Sequence, residues 1–550
     1  MIFTVLKPVY PIEELLDSVY ERDPSDGPHI ASRRAAKSTL ASAARASRIL
    51  SQHALNALWE VMEGINPMLN FLPPYSNRLD FRLQDKERLN VIKKEHWDCM
   101  LSYSRRIKEL HLDERNTDDD DFTHCCMLPL LLSATGGVGK LFPSLRRIRA
   151  LFLRPSSTAF IFNLFGPELQ SFVVSFDFYR DHTGGTNEQL CNAVLTTLSR
   201  NSHSLREFIL LDRDCTHLSV NNGHIHYLST FPHLQRFVSQ PPLSLTVRMN
   251  IGVLQRLKYL DINMDGRSGG PAPEICLFEL PELESLTLRG SLVNLNKFLS
   301  HMSTPSALRS AVFLIDSSAT TPVPCDLLEA LFSGFQKSLP QTLRSLTVTC
   351  QSVYSFQLRG PPFYADLWHP LSFLPRLEAL SIDVGQSNIL LSDNNIRSLS
   401  DSLHKLRSLT VLCASGYIDA MFNDRPTIHA LVALAIGCPD LAHLHLADVD
   451  VDSPVGEISE IPALRHRLRS LEIDTFRARD TSTVLNFVLG LNRIFPKVAT
   501  VEPRGENMPL LSVIPMNRAW NAREYVNDVL ELTRGTQQNN IDRGIVMLPM

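Results

Sequence analysis

One phrase, Leu-x-x-Leu-x-Leu, returns so often in this 550-residue chain that it limits the folds open to it. Its clearest copies are Leu257/Leu260/Ile262, Leu283/Leu286/Leu288, Leu343/Leu346/Val348 and Leu377/Leu380/Ile382. Leu406/Leu409/Val411, Leu441/Leu444/Leu446 and Leu468/Leu471/Ile473 are equally plain. Weaker copies begin at Ile107, Leu145, Leu169, Leu205, Leu234, Leu308 and Val498, and several copies open with Pro-x-Leu. Successive first positions lie 23 to 38 residues apart, a mean of about 30.

The last two apolar positions of each copy are two residues apart, so on a short strand both point to the same side, into a core. A stretch such as Cys325-Asp326-Leu327-Leu328-Glu329-Ala330-Leu331-Phe332 then returns the chain as a helix on the opposite side. One such unit cannot bury its own apolar face, whereas stacked neighbours build a continuous core. This is the logic of leucine-rich repeats. The reading is an α/β chain: a small all-helical N-terminal module followed by an irregular leucine-rich-repeat solenoid of about 14 units. An ordinary doubly wound domain is the alternative, and the number of copies argues against it. The residue between the two apolar strand positions faces the concave surface. That makes Asp261, Thr287, Thr347, Ser381, Thr410, His445 and Glu472 the candidate substrate-binding residues. They share no single chemical theme, which suits a protein or peptide target better than a small ligand.

Composition agrees with a folded chain: 44% hydrophobic and 20% charged, with net charge −4. Nucleic-acid binders draw affinity from a basic excess, so no nucleic-acid partner is expected. The most basic short stretch, Arg146, Arg147, Arg149 and Arg154, is interleaved with Leu145, Ile148, Leu151 and Leu153 and reads as a solvated repeat edge. Ten cysteines without a C-x-x-C argue against a zinc ribbon or a disulfide framework and favour a reducing compartment, cytoplasmic and/or nuclear. No long uncharged apolar run predicts a membrane span, and Met1–Leu6 is too short for a signal-peptide core.

At the N-terminus, Pro11 suits a first helical turn and Ile12, Leu15, Leu16 and Val19 share one face. The polar stretch 22–28 should break that helix. A second helix is expected over Ser38–Leu50, with a third behind Ser51 as its cap, then a last helical turn before Pro73-Pro74. Pro-Ile-Glu-Glu-Leu-Leu at 11–16, the Ser38–Arg48 segment and the Leu-x-x-Leu-Trp ending at Leu55, Leu58 and Trp59 together resemble an F-box of the fungal type. Tyr10 stands where the family usually opens with leucine. The resemblance implies docking on a Skp-type adaptor, and through it a cullin scaffold, by Pro11, Ile12, Leu15, Leu16, Leu40, Leu50 and Leu58. The repeats would then present a protein substrate for ubiquitin transfer. The residues themselves leave a second reading open: a helical cap on a repeat scaffold with no ubiquitin role. The expected division is 1–75 for the F-box-like module, 76–104 for a helical connector, 105–503 for the repeats and 504–550 for a C-terminal cap and tail.

Enzyme patterns are weak. Ala134-Thr135-Gly136-Gly137-Val138-Gly139-Lys140-Leu141 resembles a phosphate-binding loop, but Ala134 replaces a required glycine and Leu141 the magnesium-binding hydroxyl. It reads as a flexible loop. His224-x-His226 and His443-x-His445 each put two imidazoles on one strand face, without a Cys or carboxylate at metal-ligand spacing. The acidic run Asp118–Asp121 reads as a solvated loop, and 519–532 as a capping helix. No catalytic residue, metal site, cofactor or membrane partner is expected.

Overall fold

The computed structural model describes residues 27–71, 93–113, 131–153, 161–176, 186–211, 228, 230–242, 254–264, 279–316, 325–350, 367–385, 391–413, 425–451, 461–477, 481–498, 501–502, 527 and 530. The acidic run 118–121, His224 and His226 lie outside them, as do most of the expected connector and most of 504–550. Met1–Phe172 and Val173–Met550 form two compact units.

The first unit opens with two helices, Gly27–Ala46 and Arg48–Glu60. The first starts well before the expected Ser38, at Gly27 inside the polar stretch, because Pro28 sits in the first turn, where its missing N–H is not needed. The break falls at Ser47 instead. Its backbone is extended and its hydroxyl accepts from the Leu50 N–H, so Ser47, not Ser51, caps the second helix. The Ser51 N–H is spent inside that helix, on the Ser47 carbonyl at 2.8 Å.

From the second helix the chain passes directly into β1 (Val61–Glu63), which pairs in parallel with β2 (Glu109–Asp113). Residues 1–75 are therefore not all helical: they supply a strand. Its rung reads Trp59-Glu60-Val61-Met62-Glu63-Gly64, with Met62 opposite Leu110. Tryptophan, methionine and glycine stand where a leucine pattern would be sought. Trp59 packs against Phe71 and Tyr103 at ring-centroid distances of 5.7 and 4.9 Å. β3 (Arg147–Leu153) follows, in parallel register with β2.

β4 (Ser171–Phe176) stands at the boundary of the two units. The second unit continues with β5 (Glu207–Leu211), β6 (Arg236–Pro242), β7 (Tyr259–Asn263), β8 (Ser285–Gly290) and β9 (Ser310–Ile315). Then come β10 (Ser345–Cys350), β11 (Ala379–Gly385), β12 (Ser408–Cys413), β13 (His443–Asp450), β14 (Ser470–Arg477) and β15 (Val501–Glu502). From β5 to β15 every neighbouring pair is parallel, and strand order is chain order. Parallel neighbours need a crossover, and in five of these ten the helices Leu292–His301, Cys325–Ser338, Asp393–Ser402, Ile428–Gly437 and Thr481–Ile494 provide it. This is the repeat solenoid that the spacing predicts.

All fourteen first positions, from Ile107 to Val498, are at most 4% exposed. The weaker copies are the ones in which another residue fills a leucine site. Phe208 stacks on Phe237 in the next rung, and Ala311 stands beside the larger Phe313, which packs on Phe335. Volume is conserved while the letter changes, so the core tolerates the swap.

Two backbone devices recur along the ladder, the first with an exception at Leu468, whose N–H goes to His466 Nδ1 at 3.1 Å. The first-position N–H closes a turn on the carbonyl three residues back, as in Leu377 N–H to Leu374 O at 3.1 Å. Pro375 occupies the second place of that turn, where a fixed φ helps, which accounts for the Pro-x-Leu phrase. The carbonyl of the next residue then accepts two N–H groups from the following unit. Arg344 O takes Glu378 at 2.7 Å and Ala379 at 2.9 Å; Glu378 O takes Arg407 and Ser408; Arg407 O takes Ala442 and His443. The helices brace one another as well. Asp393 accepts from both the backbone N–H and the hydroxyl of Thr427 at 2.7 and 2.6 Å. A Cβ on Gly437 would meet the Ser400 carbonyl oxygen at 2.5 Å, so only glycine permits that approach.

Leu346 is fully buried on β10, while its neighbour Thr347 faces outward. Leu346→Ala should therefore cost about 2–5 kcal/mol in urea unfolding, through lost transfer energy and a residual cavity. Thr347→Ala should stay within about 0.5 kcal/mol of wild type. Similar costs for the two would contradict the inside–outside alternation.

Candidate functional site

The strands carry their outward residues in straight rows. Cα register runs Val238, Asp261, Thr287, Val312, Thr347, Ser381, Thr410, His445, Glu472 and Glu502 across β6 to β15. The seven candidate substrate-binding residues thus share one row, with Val312 between Thr287 and Thr347. Two flanking rows complete the face. One runs Tyr259, Ser285, Ser310, Ser345, Ala379, Ser408, His443 and Ser470. The other runs Asn263, Arg289, Leu314, Thr349, Asp383 and Leu412.

The middle of this face is low and hydroxylated, and its ends are charged and internally paired. At one end Arg289 grips Asp261 with two parallel bonds of 3.2 Å, a bidentate pair about one quarter exposed. Lys258 meets Glu284 at 3.0 Å. At the other end His445, only 9% exposed, lies between Glu472 (Nδ1 to Oε2, 3.3 Å) and Asp474 (Nε2 to Oδ1, 3.0 Å). Arg425 and Asp448 form a further pair beside it. Asp261, His445 and Glu472 are therefore engaged with neighbours, whereas Thr287, Thr347, Ser381 and Thr410 offer half-exposed side chains.

Arg289 and Asp474 escaped the sequence reading because it stopped at the residue between the two apolar strand positions. Continuing the alternation by two residues would have found both. Of the two strand imidazoles, His443 is exposed and His445 nearly buried. Among the described residues, no group of three His, Cys, Asp or Glu could hold a metal ion.

Of the residues proposed for adaptor docking, Pro11, Ile12, Leu15 and Leu16 lie outside the described residues. Leu40 on the first helix and Leu50 and Leu58 on the second are half-buried. Ile49, which the helical pattern passed over, is 84% exposed. The Gly136–Gly139 segment is not the flexible loop expected of it. Residues 131–135 are helical, the Gly137 N–H returns to Leu132 O at 2.7 Å, and a short helix Val138–Leu141 follows. Gly136 and Gly137 have φ of 82° and 108°, which makes that reversal possible. Leu141 is fully buried, not presented to a ligand. The basic stretch at β3 behaves as a repeat edge: Arg146 and Arg147 are exposed, while Leu145 and Ile148 are buried.

Among the groups with shifted titration, two are in the core or on its edge. Burial raises the Cys438 thiol to about 12, so it is a core residue and not a nucleophile. On β2, burial opposes ionisation of Glu109. The 2.6 Å bond to His111 and the nearby Arg147 and Arg149 outweigh it and hold the carboxyl below its ordinary range.

No protein-family model matches the sequence, and no curated protein does. Among solved structures, an internalin (inlF) from Listeria monocytogenes is similar at 14% identity and TM-score 0.32, over 66% of this chain and 82% of that one. TLR13 in complex with ssRNA13 is similar at 11% identity and TM-score 0.27, over 70% of this chain and 57% of that one. At those scores the likeness carries no argument, and the solenoid rests on strand order, register and burial.

A carboxyl with a depressed folded-state pKa adds stability above its unfolded value and loses it as pH falls through the folded value. The stability advantage of wild type over Glu109→Gln should therefore be flat above about pH 5 and shrink steadily below it. Urea titrations from pH 3 to 7 measure this; an advantage that persists unchanged in acid would refute the assignment.

Proposed function

We propose that this chain is a non-catalytic recognition subunit of an SCF-type cullin–RING ubiquitin ligase. Its N-terminal helices bind a Skp-type adaptor, and its strand face binds the protein to be modified. The observation that carries the reading is the incomplete use of apolar surface in the two N-terminal helices. Ile49 is 84% exposed, and Leu40, Leu50 and Leu58 are only half-buried. An exposed large apolar residue accompanied by half-buried leucines in a helical module suits a docking surface. They accompany the segments that resemble an F-box.

In this reading the reaction takes place on other subunits. The contribution of the chain is proximity, holding a target lysine where the charged enzyme can reach it. No cofactor or metal is required. The work is intracellular, in cytoplasm or nucleus, and needs no membrane. Among the described residues no helix is long and apolar enough to cross one. A second reading, a repeat scaffold closed by a helical cap, draws on the direct passage from helix Arg48–Glu60 into β1. A cap must cover the first rung, and these helices adjoin it.

The readings part on Ile49. Because that side chain is already in solvent, Ile49→Asp should leave the unfolding midpoint within about 0.5 kcal/mol of wild type. Adaptor affinity should fall at least about tenfold, or 1.4 kcal/mol. Co-purification and titration with a Skp-type adaptor measure it, alongside a Leu15→Asp, Leu16→Asp variant. Absence of any adaptor complex with wild type, or unfolding of the Leu15/Leu16 variant, would favour the cap.

A further inference from the structure

The residue whose carbonyl accepts the inter-unit N–H groups also projects a side chain from the rim where the strands begin. Over the five units from Leu308 to Leu441 these residues are Arg309, Arg344, Glu378, Arg407 and Ala442, and Arg469 holds the same sequence place after Leu468. The turn just before adds Arg376, Lys405 and Arg467 against Asp440. Seven cations therefore face two carboxylates along one rim, in a chain whose overall charge is −4. Glu378 meets Arg344 at 3.4 Å and Arg407 at 3.7 Å, yet those guanidinium side chains remain 60% and 67% exposed. Arg309, Arg376, Lys405, Arg467 and Arg469 are exposed and make no ion pair among the described residues.

Beside the rim lies the flattest part of the strand face. Ser310, Ser345, Ala379 and Ser408 form the nearest row, with Val312, Thr347, Ser381 and Thr410 beyond it. Small side chains let an extended backbone approach the strands, and the hydroxyls can bond to it. We propose that this rim and floor bind an acidic, extended peptide segment, with its carboxylates on the Arg309–Arg469 rim. The inference rests on the reading that the strand face binds protein, and it names the chemistry of that protein.

The dimensions agree. Five strand spacings of about 4.8 Å separate Arg309 from Arg469, about 24 Å, which an extended segment of about seven residues spans. Carboxylates and guanidinium groups pair well in two-toothed geometry. A single-stranded nucleic acid fits less well, because its binders stack bases on aromatic platforms and the floor from Ser310 to Thr410 contains none.

The test is fluorescence anisotropy on the full chain. The probe is a labelled sixteen-residue peptide of alternating Glu and Ser, with an alternating Lys/Ser peptide, a Gly/Ser peptide and a single-stranded oligonucleotide as comparators. Wild type should bind the acidic peptide alone, less tightly as salt rises. Arg309→Glu with Arg469→Glu should weaken binding at least tenfold. Lys297→Glu with Lys337→Glu alters net charge equally on exposed helical sites and should change it less than twofold. Equal losses in both variants would reduce the effect to net charge and overturn the rim. Rim-dependent binding of the oligonucleotide without the peptide would overturn the peptide assignment. Binding of the Gly/Ser peptide alone would overturn the rim yet leave a protein-binding face standing. Binding of no probe would overturn this inference without touching adaptor capture, which is measured separately.

Discussion

Along most of the described ladder one carbonyl per unit, that of the residue after the first leucine, accepts two backbone N–H groups from the unit that follows. That double acceptance lets units of unequal length stack on one constant spacing. It anchors the start of each strand to the start of the last, and ordinary parallel pairing carries the register onward. The inside–outside alternation then follows, since a strand whose first residue is placed has only one way to turn its side chains. The leucines supply most of the stabilisation, but the staple decides where each leucine goes.

This division of labour explains how much could be read from residues alone. The repeat spacing, the fourteen units and the outward row from Asp261 to Glu472 were legible, because period-two alternation and a recurring apolar triplet are strong local signals. The rung at Trp59–Gly64 was not. Its apolar positions hold tryptophan, methionine and glycine, and it is the parallel pairing with β2 and the staple from the Lys108 N–H to the Glu60 carbonyl, at 3.0 Å, that identify it. The tryptophan that closes the F-box-like phrase is also the first position of that rung. The boundary between helices failed for a related reason: Ser47 and Ser51 are equally good caps by residue type, and backbone geometry chose between them. The carboxylates that hold His445, Glu472 and Asp474, are far from it in sequence because they come from the next strand.

The strand face is not uniform. Its charged ends are tied up in pairs that span neighbouring strands, Asp261 with Arg289 and His445 with Glu472 and Asp474. Pairs of this kind hold side chains in place more than they advertise them, since each is partly desolvated and satisfied. The half-exposed hydroxyls of Thr347, Ser381 and Thr410 are left to make contacts, and hydroxyls discriminate poorly among backbones. Selectivity must come from groups beside the floor, which directs attention to its edges.

The repeated staple also makes the unit a transferable part. Arg309 and Arg344 occupy equivalent places, one strand apart, so a chain lacking 310–344 would join Arg309 to Ser345 with the same acceptor and the same donors available. One strand, one helix and one outward residue of each row would leave together. Every later residue would keep its facing. The length of the face can therefore change in steps of about 4.8 Å by loss or duplication of whole units, without exchanging core for surface.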